Sequence, residues 1–135
     1  MYLQLLTAAT AANGAPSLIT DGFALRPASS SSTIDIAGDR GLLLLKSTAG
    51  SSTMSVTIRL WGYSAISASW LPLGVGGAST KGIINGGNAC GETGTDAIAH
   101  AEVIGGLENL QRIYAEITNI GGTSTAISAW LVARL

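Results

Sequence analysis

Residues Gln111 to Leu135 read QRIYAEITNIGGTSTAISAWLVARL, and the reading of this stretch decides the fold class. Ile, Tyr, Thr, Trp and Val crowd both sides of Gly121-Gly122, where missing Cβ atoms free the backbone for a reversal. The pattern predicts two β-strands joined at the glycines as a terminal hairpin, tying the end of the sequence into a sheet. Further upstream, Met54, Val56, Ile58 and Leu60 alternate with Ser55, Thr57, Arg59 and Trp61. That period of two predicts a half-buried strand. Leu42 to Leu45 is a short apolar run bounded by Arg40-Gly41 and by a Ser/Thr/Gly cluster ending at Ser52. It predicts a more fully buried strand that pairs with the alternating one through a hairpin loop.

Further strands are expected at Ser17 to Ala24, Thr33 to Ile36, Ala68 to Leu73, Gly82 to Ile84 and Ala97 to Ile104. Strands at this spacing, about eight or nine in all, separated by Gly, Ser and Asn clusters, predict an antiparallel β-sandwich, with a jelly roll among the topologies open to it. No segment keeps a helical period for three turns, although the Ala-rich Thr7 to Ala12 has the composition for one turn of helix. Ala28 to Thr33 reads as a loop, and the glycine-rich Gly74 to Gly94 as the longest irregular region. Residues 1–135 make one domain, with an extended arm expected within Met1 to Gly38. Deleting Met1 to Ala12 is then expected to leave the sandwich folded and to weaken its binding to a neighbour.

The chain has 135 residues, enough to bury a core without disulfides or metal. Its seven Lys and Arg against eight Asp and Glu show no clustered sign, so nothing predicts a nucleic-acid stripe or a polybasic membrane patch. A lone Cys90 excludes an internal disulfide. Charged residues are only 11% of the chain, where about 25% is usual, and Ala, Gly, Ser and Thr fill about half of it. Low charge density favours association, so the surface predicts permanent packing against neighbours, with a hydroxyl-rich extracellular domain as the alternative. The amino terminus has no basic residue ahead of its apolar stretch, and no run approaches the roughly 20 residues of a spanning helix; the expectation is a soluble protein without a signal peptide.

No constellation in the sequence identifies a reaction. GVGGASTKGIINGG, Gly74 to Gly87, has Ser79-Thr80 before Lys81 instead of after it, and Ser79 stands where a dinucleotide loop needs its third glycine. Cys90 and His100 are single, with no orienting third group. Asp35, Asp39, Glu92 and Asp96 fall short of the roughly six to eight oxygens that calcium takes. The sequence therefore predicts no catalytic residue, no metal and no cofactor. Its candidates are aromatic: Trp61, Tyr63, Trp70, Tyr114 and Trp130, joined by Lys81 in the glycine-rich loop, as residues of an interface. Trp61 and Tyr63 fall on the polar face of their strand, where they serve as core under a second sheet, as interface anchors, or as a sugar-stacking platform.

LWGYSAISASWLPLG, Leu60 to Gly74, and RIYAEITNIGGTSTAISAWLVARL, Arg112 to Leu135, resemble segments of small virion structural proteins of tailed bacteriophages. The likeness is carried by a strand ending in Trp-Gly-Tyr, a Trp-Leu-Pro-Leu-Gly strand and a closing Trp-Leu-Val-Ala-Arg strand, under a third of the chain. What it implies is a β-sandwich of the virion, a head decoration or cement protein that bridges major capsid protein subunits, often as a homo-oligomeric trimer. A tail, baseplate or fibre component contacting host glycan is the alternative, and an extracellular carbohydrate-binding or hydrolase domain a third.

Overall fold

The computed structural model describes residues 2–25, 40–47, 55–73, 83–84, 99–107, 110–121 and 126–133. Its strands are β1 (Tyr2–Ala9), β2 (Phe23–Ala24), β3 (Arg40–Ser47), β4 (Ser55–Ser64), β5 (Ser69–Leu73), β6 (Ile83–Ile84), β7 (Ala99–Gly105), β8 (Arg112–Gly121) and β9 (Ile127–Ala133). They form two antiparallel sheets, a four-stranded one in the order β1-β9-β3-β7 and a five-stranded one in the order β2-β8-β4-β5, with β6 also on β4. The expected β-sandwich is present.

Setting aside the two-residue β6, the pairs β1·β9, β2·β8, β3·β7 and β4·β5 nest inside one another. Nested pairing of the first strand with the last, the second with the last but one, and so inward is the scheme of a jelly roll. The long folded ribbon is closed into two sheets by β9 pairing β3 and β8 pairing β4.

Period-two patterning decides what goes inside. Leu43 and Leu45 of β3, Ile58 and Leu60 of β4, Ile113 and Ile117 of β8, and Ile127 and Leu131 of β9 are buried, with one cluster drawing on both sheets. The connections contribute Leu25, Leu107 and Leu110. On β1 the register slips between Gln4 and Leu6, so one residue of β1 has no opposite number. This bulge turns two consecutive side chains, Leu5 and Leu6, into the core.

Several sequence expectations are corrected. β8 ends at Gly121 and β9 begins at Ile127, but the two lie in different sheets, so they are not a hairpin. β3 and β4 likewise do not pair with each other. The β3 run is not buried throughout: Leu42 is 37% exposed while Leu43 and Leu45 are buried. The stretch from Ser17 is irregular until a two-residue β2, and Thr7 to Ala9 finishes β1 instead of turning into helix. The expected arm is docked as far as Leu25, which is itself fully buried. The remainder of the arm, the Thr33 to Ile36 strand and the Ala28 to Thr33 loop fall outside the described residues.

Candidate functional site

The outer face of the five-stranded sheet is built from the positions that alternate with the core. Arg59, Trp61 and Tyr63 point outward from β4, Trp70 stands opposite Tyr63 on β5, and Tyr114 opposite Trp61 on β8, so four of the expected interface residues meet on one face. Trp70 lies edge-on to both tyrosines, with ring centroids 5.5 Å from Tyr63 and 6.2 Å from Tyr114. This edge-to-face geometry sets the positive ring edge against a negative face.

Residues 10–22 cross this face as a strap. The Trp70 Nε1–H donates to the Leu18 carbonyl at 2.9 Å, and the Tyr114 hydroxyl donates to the Gly14 carbonyl at 3.0 Å. The Arg112 guanidinium donates to three consecutive carbonyls, those of Thr20, Asp21 and Gly22. Asn13 reaches the edge of β8, its amide NH2 donating to the Ala115 carbonyl and its Oδ1 accepting from the Ile117 N–H. One side-chain amide thus satisfies the donor and acceptor that an adjacent strand would have taken. Sequence reasoning missed Asn13 and Arg112, because both act on backbone about a hundred positions away.

The electrostatics follow from these contacts. The backbone N–H groups of Leu18 and Ser17 hold the Asp21 carboxyl below its ordinary range; burial opposes them, and the Arg112 charge adds a lesser push downward. Burial pushes the Tyr114 phenol up, and the charges of Asp21 and Glu116 push the same way. Beyond the strap, the Trp61 Nε1–H donates to the buried Glu116 carboxylate at 2.9 Å, and the Arg59 guanidinium stands 5.9 Å from the Trp61 ring centroid. The Arg59 Nε is buried without a hydrogen-bond partner.

Trp130 is elsewhere, on the outer face of the four-stranded sheet. Register sets Tyr2, Val132, Leu42 and Val103 in one row across β1, β9, β3 and β7, and Gln4, Trp130, Leu44 and Ala101 in the next. These two rows hold no charged residue, while Arg40 and Lys46 occupy the outward positions of β3 on either side of them. Tyr2 is 59% exposed and Val103 65%. The continuous Leu run of β3 hid its exposed half from sequence reasoning.

Lys81, Cys90, Asp35, Asp39, Glu92 and Asp96 lie outside the described residues, as does most of the glycine-rich segment, whose Ile83 and Ile84 form β6. The backbone of His100 pairs with Leu45 and that of Glu102 with Leu43. Among the described residues no three His, Cys, Asp or Glu come together as a metal site, and no helix is long and apolar enough to cross a membrane. Among the described residues these features define a jelly-roll sandwich with one strapped aromatic face and one uncovered, largely apolar face. No family model, curated protein or solved structure matches the chain.

Proposed function

We propose that the protein is a structural subunit of a phage particle, a decoration or cement protein that stabilises the shell by bridging major capsid protein subunits. The observation that carries this reading is the outer face of the four-stranded sheet, whose two central rows are uncharged and, apart from Gln4, apolar. Exposed contiguous apolar surface of this kind marks an interaction site. The charge-poor composition supports the same reading, as does the resemblance of Leu60 to Gly74 and Arg112 to Leu135 to small virion proteins. Such a protein works by burial instead of chemistry: each copy adds interface across a seam between assembled subunits and none to free ones. Many modest contacts on one lattice then sum through avidity.

The test is copy number per purified particle, by quantitative mass spectrometry against the major shell protein. A number near that of the shell protein is expected, and absence from the particle ends the reading. A tail or fibre role in contact with host glycan is favoured by Trp61, Arg59 and Glu116, an indole, a guanidinium and a carboxylate beside one another, groups that stack on and hydrogen-bond to sugars. A handful of copies per particle, with glycan binding that Trp61→Ala abolishes, supports that role instead.

A further inference from the structure

A sandwich has exposed sheet edges, and exposed edges recruit other strands unless something blocks them. Three edges here are blocked. On β1 the register breaks twice, and Ala8 adopts φ 45° at the second break, which turns the strand away from straight pairing. On β8 the two-residue β2 and the Asn13 amide occupy the edge groups from Ile113 to Ile117. On β5, Pro72 sits within the strand and has no N–H to offer.

Among the described residues, the outer edge of β7 has none of these devices. Its pairing with β3 runs unbroken over seven consecutive positions, from Gly105 to Ala99, and AHAEVIG contains no proline, lysine or bulge; its one acidic residue, Glu102, alternates with the outward Ala101 and Val103. Among the described residues nothing pairs with its other side. Ala101 and Val103, on the outward face of this edge strand, are exposed.

We infer that β7 pairs antiparallel with β7 of a second copy across a two-fold axis at Ala101, joining two four-stranded sheets into one of eight strands. The sequence selects both occupant and register. With the axis at Ala101, His100 stands opposite Glu102 of the second copy and Glu102 opposite its His100, while Ala99 meets Val103 in both directions. That register sets each Glu102 opposite a histidine instead of a second carboxylate, and the small Ala99 opposite the larger Val103. Moving the axis one residue to Glu102 puts two carboxylates opposite each other. The contact is isologous, so it closes as a dimer instead of growing into a filament. A net charge of −1 per copy gives little long-range repulsion. Pairing also runs the Gln4–Trp130–Leu44–Ala101 row on into its counterpart, while the Tyr2–Val132–Leu42–Val103 row continues into Ala99 and Lys46 of the second copy. The inference concerns the isolated protein and stands whether or not the particle reading holds.

Sedimentation equilibrium of the purified full chain over a wide concentration series tests it. A dimer is expected, and Ala101→Lys, which sets two ammonium groups opposite each other at an exposed position, is expected to be monomeric with an unchanged circular dichroism spectrum. In a Cys90→Ser background, Ala101→Cys is expected to form an intermolecular disulfide on oxidation, whereas Gln4→Cys on the β1 edge forms none. The cysteine pair decides the matter if the lysine variant fails to fold. A wild-type monomer at every concentration, a trimer, a dimer that survives Ala101→Lys, or cross-linking through Gln4 overturns the inference.

Discussion

Arg112 holds Asp21 by the backbone, its Nε donating to the Asp21 carbonyl at 3.0 Å, while the Asp21 carboxylate accepts from the N–H groups of Ser17 and Leu18 at 2.9 and 2.8 Å. Each end of the strap turn is thereby fixed by the other. Breaking the arginine contact releases three carbonyls together. Arg112→Met is expected to lower stability by about 1.5–3 kcal/mol, the usual range for hydrogen bonds to a charged group, measured by urea unfolding. Limited proteolysis is expected to cut the variant first between Gly14 and Gly22, and unchanged resistance there would show that the strap does not depend on Arg112.

Asp21 also gives the strap a pH dependence. Its carboxyl titrates below the ordinary value of 3.8 in the folded chain and near that value when unfolded. A depressed folded pKa means that the contribution is fully present above 3.8 and is lost as pH falls through the folded value. Wild type is therefore expected to lose more stability than Asp21→Asn between neutral pH and pH about 2.5. Parallel profiles for the two proteins in thermal unfolding would contradict this.

Tyr114 works in the opposite direction. Its phenol is raised above 10.0 in the fold, so the stability linked to it is complete below 10.0 and lost as pH rises through the folded value. Tyr114→Phe removes the hydrogen bond to Gly14 and is expected to lower stability by about 1 kcal/mol at neutral pH while flattening the alkaline loss.

Gly22 is a position where no other residue fits. Its φ is +69°, and a Cβ there would collide with the Ile113 carbonyl across the β2·β8 pair. Gly22→Ala is expected to destabilise by about 1–3 kcal/mol and to free the strap, read as faster amide exchange in residues 14–22.

Deletion of Met1 to Ala12 is expected to unfold the protein or leave it aggregated, contrary to the sequence expectation of a detachable arm. The deletion takes the edge strand β1 and with it Leu5 and Leu6, both core side chains. Leu5→Ala alone is expected to cost about 2–4 kcal/mol, measured by urea unfolding. A folded truncation with a native spectrum would argue that β1 is dispensable.

Much of the architecture was legible in local pattern. Alternation along Met54 to Trp61 put Ile58 and Leu60 inward and Trp61 and Tyr63 outward, and that is where they are. The strand content of Gln111 to Leu135 was equally plain, and four of the aromatic candidates do share one face. What local pattern left open was the use of that face, because the groups that occupy it are carbonyls of Gly14, Leu18 and Thr20 to Gly22, and backbone carbonyls leave no mark in a sequence.

By itself, then, the sequence determined most of the strands, though not β1, most inward faces and a surface poor in charge, since each follows from side-chain period and composition. Only the tertiary structure decided which strand meets which. β8 and β9 look like a hairpin, as do β3 and β4, yet each pair is split between sheets, and the tight turn from Ala65 to Ala68 joins consecutive strands that do pair. The physical reason is that a turn fixes only where the chain reverses, whereas the pairing partner is set by burying both sheets against one core at once, through contacts far apart in sequence.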